Sequence, residues 1–208
     1  MNRVMKRYGM WVALAVGVVF LGMTGCSGVA YKSADLNYMA KYKVSIGDLR
    51  GSLPDLEEVL KMNPKDVDAN ATMAQVQYRL GDIGKAAKYA KAAHEVDPGD
   101  FRALGILGLV DLREGRYEEG IQKVSKAMAI YNDIEQVGGS VPVEPEAILK
   151  NMKVELQSGK KISPDLISQL EGAFWKKIQW YEFDEEYRKW HFHSFYDVRP
   201  DGGDTFPK

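Results

Sequence analysis

The sequence predicts an all-α protein: a solenoid of about three helical hairpins, followed by further C-terminal helices. Three observations lead to this prediction. A segment of 34 residues repeats without a gap, glycine and proline recur at fixed places in it, and apolar residues elsewhere follow helical spacing. Each copy is expected to form two antiparallel helices, whose apolar faces are buried only when neighbouring copies stack.

The composition of the 208-residue chain is that of a globular protein, because 45% of its residues are hydrophobic and 27% are charged. Its formal net charge is −1, whereas nucleic-acid-binding domains usually have a strong positive excess on one face. The single cysteine excludes an intramolecular disulfide framework and a zinc site with two or more thiolates. We therefore expect no nucleic-acid partner, no metal and no cofactor.

The first 25 residues have the pattern of a secretory signal peptide. Three basic residues precede an apolar run from Met10 to Met23, and small residues follow that run. The alternative is a transmembrane anchor, but the run has 14 residues, and a helix needs about 20 to cross a bilayer. We therefore predict a cleaved signal over residues 1–25.

The only cysteine, Cys26, directly follows this predicted signal. The stretch Leu21-Gly22-Met23-Thr24-Gly25-Cys26 resembles a bacterial lipobox. The resemblance implies that the chain is cut before Cys26 and acylated on its sulfur and new amine, which makes residues 26–32 a lipidated linker. Two or more acyl chains hold a protein stably on a membrane. Ser27, in place of an aspartate, favours the outer membrane, with the protein facing the periplasm, if the source has such a membrane.

The repeats are assigned to residues 33–132. Glycines 47, 81 and 115 are expected to end the first helix of each hairpin, where the backbone takes a positive φ. Pro64 and Pro98 are expected to stop the second helices before the next copy begins. Small residues at matched places in the two helices of each pair predict a close approach of their backbones.

A 34-residue period with these residues resembles the tetratricopeptide repeat family, over about 100 residues. The resemblance implies a right-handed solenoid with a groove along its first helices that binds another protein. By resemblance, the groove is lined by Asn37, Tyr38, Lys41, Ala71, Thr72, Gln75, Tyr78, Arg79, Arg102, Ile106, Leu109 and Arg113. This mixture of apolar and basic groups favours an acidic, aromatic ligand segment. The alternative is a generic antiparallel bundle.

Two departures from regular repeats are visible in the sequence. Gly51-Ser52-Leu53-Pro54 stands where the second helix of the first copy should begin, so that helix is expected to be short. After Asn132, two glycines and two prolines predict a linker over residues 133–145. Helices are then assigned to residues 146–200, including a long one that starts at Ser163-Pro164-Asp165, and a flexible tail to residues 201–208. A degenerate fourth pair at residues 145–178 is the alternative for the first part of this region.

Ten aromatic residues lie between Phe174 and Tyr196, more than one helix face can bury. One interpretation is a capping helix that shields the last repeat. Another is a docking element, with Trp175, Trp180, Phe183, Tyr187 and Trp190 as its anchors. The third interpretation is a helix that lies on a membrane, but the four acidic residues within 182–186 oppose it. Complementary charge further predicts that this segment docks on its own repeats, where an external partner would compete with it or bind the composite surface.

The sequence has no phosphate-binding loop, metalloprotease motif or nucleophile motif, so we expect no enzyme. His191 and His193 would share one face of a strand and could hold a metal, but no third ligand with matching spacing is evident. The pattern thus favours a lipid-anchored cell-envelope adaptor that binds other envelope proteins. The alternative is an envelope protein that binds a ligand or metal through the aromatic and histidine C-terminal segment.

Overall fold

The computed structural model describes the backbone of residues 31–135 and 144–196, and the side chains of residues 31–134 and 145–182. Within these ranges every regular element is a helix and no strand occurs. The predicted all-α fold of helical hairpins is therefore confirmed. The predicted signal, Cys26 and the predicted tail lie outside the described residues.

Eight helices occur in the described part of the chain. They are α1 (residues 31–45), α2 (Leu49–Met62), α3 (Val67–Arg79), α4 (Ile83–Val96), α5 (Phe101–Arg113), α6 (Tyr117–Glu135), α7 (Glu144–Gln157) and α8 (Pro164–Tyr196). Contacts divide them into two units. The first unit ends at Asp97 and contains α1 to α4, and the second begins at Pro98 and contains α5 to α8.

A glycine in the left-handed conformation ends the first helix of each of the three hairpins, as predicted. The φ angle is 86° at Gly47, 88° at Gly81 and 81° at Gly115. In the first two hairpins an aspartate follows, and the side chains of Asp48 and Asp82 accept hydrogen bonds from the first turns of α2 and α4. The Gly-Asp pair therefore sets both the turn and the start of the next helix.

Proline decides where the second helices end. α2 and α4 stop two residues before Pro64 and Pro98, because the residue that precedes a proline disfavours the helical conformation. The third hairpin has no proline at this place, and α6 continues for 19 residues to Glu135. The predicted linker over residues 133–145 is therefore too long, since α6 occupies its beginning and α7 starts at Glu144.

The prediction that α2 is short is wrong, because α2 and α4 both have 14 residues. Pro54 lies inside α2, as the sixth residue of the helix. A proline there removes one intrahelical hydrogen bond. Ser52, Leu56 and Val59 are fully buried on the same helix, and this packing keeps the segment helical.

The close approach of paired helices is clearest between α5 and α6. A Cβ atom added to Gly108 would lie 2.9 Å from the carbonyl oxygen of Gly120, and the reverse distance is 2.8 Å. No larger residue fits at either place without moving the backbone. The equivalent residues of the preceding hairpin, Ala74 and Ala86, are fully buried.

Helix α8 begins as predicted, with the Ser163 hydroxyl accepting a hydrogen bond from the Leu166 amide and Pro164 as the first helical residue. It runs for 33 residues and contacts both α5 and α7. The left-handed Gly159 before it follows Gly115 by 44 residues, so the 34-residue period is not kept in this part of the chain. None of the described helices is long and apolar enough to cross a membrane.

Candidate functional site

Two ion pairs join α8 to α5. Arg113, at the end of α5, donates hydrogen bonds of 2.6 and 2.7 Å from Nε and Nη2 to the two carboxylate oxygens of Glu171. Arg102, near the start of α5, places Nη1 at 3.4 Å from Oε1 of Glu182. Because the end of one helix pairs with the beginning of the other, α5 and α8 run antiparallel.

The spacing of the two arginines matches that of the two glutamates. Arg102 and Arg113 are 11 residues apart, and so are Glu171 and Glu182. Eleven residues make about three helical turns, so each pair lies on one face of its helix, about 16 Å apart. The sequence contained this signal, but Glu171 was not among the residues we predicted to pair with the groove.

The pair at the start of α5 is enclosed by protein. The side chains of Arg102, Asp100 and Glu182 are each 10% exposed or less. Arg102 also donates a 2.6 Å hydrogen bond to Asp100, whose other oxygen caps α5 by accepting from the Ala103 amide. The guanidinium lies 5.7 Å from the ring centre of Tyr181. A buried arginine is tolerated when its donors are matched in this way.

Between the two ion pairs, an aromatic ring of α8 lies directly against the backbone of α5. A Cβ atom added to Gly105 would come within 2.0 Å of Cζ of Phe174, which is fully buried. Gly105 therefore provides the space that the ring fills. The 34-residue period places Ala71 at the equivalent position of α3.

Phe174 belongs to an aromatic cluster that Phe101, Tyr131 and Tyr181 complete. The ring centre of Phe101 lies 5.1 Å from Tyr131, 6.3 Å from Phe174 and 5.0 Å from Tyr181, each in an edge-to-face arrangement. Each such pair stabilises the fold by about 0.5–1.5 kcal/mol beyond the contribution of the area that it buries. Nζ of Lys177 lies 5.0 Å from the centre of the Tyr131 ring. Phe101 and Tyr131 were not among our candidate site residues, because neither lies in the aromatic-rich segment.

Helix α8 has two different faces along its described side chains. The inward residues are buried: Ile167, Leu170, Glu171, Ala173, Phe174, Lys177, Ile178 and Glu182. They recur every three or four positions, which places them on one side of the helix. Of the predicted anchors, Trp175 is half-buried with its ring 5.6 Å from Phe174, and Trp180 is 58% exposed on the other side.

Helix α8, which contains the predicted docking segment, packs against α5 through Phe174 and Glu182 of that segment and through Glu171, which precedes it. Among the predicted groove residues, Arg102, Ile106 and Leu109 are buried, whereas Arg113 is 43% exposed and bound to Glu171. The three buried residues are therefore closed to an external ligand, although the groove prediction required them to be open. The side chains of Phe183, Tyr187 and Trp190 lie outside the described residues.

The groove predicted in the first unit is not an open surface either. Ala71, Thr72, Gln75 and Tyr78 are buried, because α3 contacts α1, α2 and α4 and is enclosed along most of its length. Asn37 and Lys41 contact Asp66 and Asp68, respectively. Tyr38 and Arg79 are the exposed members of the predicted set in this unit.

Arg79 and Arg116 have opposite electrostatic surroundings. Partial desolvation by the surrounding protein lowers the pKa of Arg79, which has no carboxylate partner among the described residues. Hydrogen bonds to Asp111 and Glu114 raise the pKa of Arg116. Asp111 is nearly buried and also pairs with Lys123, so the carboxylate is neutralised from two sides. These contacts join α5 to α6 within one hairpin.

The structure does not favour the alternative in which His191 and His193 hold a metal. The backbone of His191 and His193 is part of α8, and residues two apart do not share a helix face. Their side chains lie outside the described residues. Among the side chains that are described, no group of three or more histidine, cysteine or acidic residues is arranged to hold a metal ion.

A protein-family model, the tetratricopeptide repeat, matches residues 46–109 of this chain. The match extends from the turn after α1 through α2, α3 and α4 to most of α5. No curated protein matches the chain. The repeat region of this chain is thus similar to tetratricopeptide repeats, which generally mediate protein–protein interaction and are typically parts of scaffolds rather than enzymes.

Proposed function

We propose that this chain is a lipid-anchored adaptor of a bacterial cell envelope, held to the membrane by acyl chains on Cys26, which binds another envelope protein. The observation that supports the adaptor role is the binding of α8 by α5. Arg113 forms a two-point contact with Glu171, and Gly105 receives the ring of Phe174. A repeat helix of this chain thus already binds a helical segment by charge and shape.

The partner binds a composite surface that includes the outward face of α8. Opening the groove on α5 would expose Phe174 and separate Glu182 from Arg102, two costly steps for groups that are nearly buried. The outward face is available without that cost. Trp180 lies on it, and tryptophan is among the residues that most often dominate the energy of an interface.

Crosslinking on the native envelope tests the partner surface. Two variants form a matched pair, Trp180→Ala and Val154→Ala, because both side chains are 58% exposed. We expect Trp180→Ala to reduce the recovery of the crosslinked partner at least tenfold, a loss of about 1.4 kcal/mol. Val154→Ala should leave recovery unchanged. Equal recovery with both variants would remove α8 from the proposed surface.

Fractionation tests the anchor. Replacing Cys26 with alanine removes the acylated group, so we expect Cys26→Ala to yield a soluble form that is uncleaved or wrongly cleaved. The unaltered chain should remain with the membrane fraction after a carbonate wash. A Cys26→Ala form that also remains there would show that the attachment has another origin.

A further inference from the structure

Exposed apolar side chains are concentrated at one end of the described chain. Nine large hydrophobic residues are exposed in the described part, and five of these lie within residues 31–46. These five are Tyr31, Tyr38, Met39, Tyr42 and Ile46. They belong to α1 and to the turn that directly follows it.

The three tyrosines form a stripe along α1. Tyr31, Tyr38 and Tyr42 are separated by seven and four residues, a spacing that places them on one side of a helix. Ala40 and Val44, on another side of α1, are buried in the core of the first unit. The first helix of a repeat array normally has a polar outer face. The outer face of α1 is apolar instead, which makes it a candidate contact surface.

The charges of α1 exclude an acidic partner for this face. Its three lysines pair with acids of neighbouring helices: Lys32 with Glu58 at 3.0 Å, Lys41 with Asp68 at 2.6 Å and Lys43 with Asp55 at 2.6 Å. The charged residue on the exposed side is Asp35. The surface is therefore aromatic and nearly neutral, and its partner must be amphipathic rather than strongly charged.

The short stretch of chain between Cys26 and α1 points to the membrane surface as this amphipathic partner. Tyr31 follows Cys26 by five residues, which span at most about 18 Å. If Cys26 is acylated, as the proposed function requires, the start of α1 cannot leave the membrane surface by more than that distance. A tether this short gives an effective concentration in the millimolar range, so that even a weak affinity for lipid suffices.

We propose that the tyrosine stripe of α1 lies on the lipid surface to which Cys26 is anchored. Tyrosine is enriched at the membrane–water interface, because its ring enters the apolar zone while its hydroxyl stays hydrated. The stripe then fixes the orientation of the first unit on the membrane. Because the lysines of α1 are paired, the contact requires no anionic lipid and is insensitive to salt.

Spin labelling of the acylated full-length protein tests this contact. Cys26 is the only cysteine, so a cysteine introduced elsewhere is the only free thiol once Cys26 is acylated. Tyr38→Cys, Tyr42→Cys and the control Val154→Cys all place the label at an exposed position, so the fold is preserved. Each variant is purified with its lipid, bound to phosphatidylethanolamine–phosphatidylglycerol vesicles, and probed with oxygen and a water-soluble nickel chelate.

We expect the labels at residues 38 and 42 to be about tenfold less accessible to the nickel chelate than the label at residue 154. The difference should persist in 0.5 M salt and on phosphatidylcholine vesicles. Equal accessibility at the three positions of a vesicle-bound protein would overturn the inference and leave the anchor intact. Spin–spin coupling between two copies labelled at residue 38 would instead show that a second copy covers the stripe. A chain that leaves the vesicles after a carbonate wash would overturn the anchor and, with it, the lipid contact.

Discussion

Helices α3 and α5 occupy the same place in successive hairpins, but they differ at the positions by which α5 binds α8 within the second unit. The gapless 34-residue period aligns Ala71 with Gly105 and Arg79 with Arg113. Gly105 lies under the ring of Phe174, and Arg113 is bound to Glu171. In the first unit, Ala71 has a methyl group at that position, and Arg79 has no carboxylate partner among the described residues.

The difference shows how little a repeat helix must change to bind another helix. Removing one methyl group makes room for an aromatic ring. The arginine that already ends the helix then needs only a carboxylate at the matching position along the facing helix. The turn before each second helix stays the same, with φ of 88° at Gly81 and 81° at Gly115. The scaffold and the binding surface are therefore set by different residues and can be altered separately.

The largest expected effect is that of removing the ring of Phe174. Phe174 is fully buried against Gly105 and Phe101, so we expect Phe174→Ala to lower the free energy of unfolding by about 3–5 kcal/mol. Urea denaturation measures this value. Trp180→Ala on the exposed face of α8 is the control and should change stability by less than about 0.5 kcal/mol. Equal effects of the two variants would show that the ring does not hold α8 in place.

Exchanging glycine and alanine between α3 and α5 is a finer test. In Gly105→Ala the new methyl group would lie 2.0 Å from Phe174, so we expect a cost of about 1–3 kcal/mol and faster amide exchange in residues 170–182. The reciprocal Ala71→Gly should cost about 1 kcal/mol through helix propensity, with no change in α8 exchange. A stabilised Gly105→Ala variant would mean that the ring moves aside without loss.

The two arginines allow a test of charge alone. Arg113→Gln leaves the Glu171 carboxylate, which is 11% exposed, without its two-point partner, and should cost about 1–3 kcal/mol. Arg79→Gln should cost less than about 0.5 kcal/mol, since no carboxylate pairs with Arg79 in the described structure. Adding Glu171→Arg to Arg113→Glu should recover part of the loss of the single variants, and a double-mutant cycle measures that coupling. A coupling of zero would show that the ion pair does not position α8.

The framework of hairpins could be predicted from the sequence, because short-range chemistry sets it. Gly47, Gly81 and Gly115 have the predicted left-handed φ, and α2 and α4 end before the predicted prolines. The same reasoning failed at α2, where Pro54 was expected to shorten a helix that keeps its full length. Burial of Leu56 and Val59 outweighs the local preference there, and local sequence does not report burial.

The site was only partly predictable, because it depends on which face of α8 meets α5. The charges predicted that the C-terminal segment docks on groove arginines, and Arg102 does bind Glu182 of that segment. Arg113 instead binds Glu171, which precedes the segment. Glu171 was missed, although its spacing of 11 residues from Glu182 repeats that of the arginines. The role of Gly105 could not be predicted, because the need for a glycine there depends on the position of the facing ring of Phe174.

The smallest expected effect concerns the turns that α3 and α5 share. Asp82 caps α4. Its carboxylate accepts hydrogen bonds from the Lys85 side chain and from the Lys85 amide, and both lower its pKa, the side chain having the larger effect. A carboxyl whose pKa is lower in the folded state stabilises the fold above its ordinary pKa of about 3.9, and this stabilisation is lost as the pH falls through the lower folded value. The third hairpin has Arg116 at the equivalent place, which stays protonated throughout that range.

We therefore expect the exchange protection of the Lys85 amide to fall from about pH 5 to about pH 2. In Asp82→Asn, protection should stay level, because asparagine caps a helix about as well and does not titrate. If protection falls equally in both proteins, the loss of protection comes from other carboxyl groups, and the cap is not what makes this turn sensitive to acid.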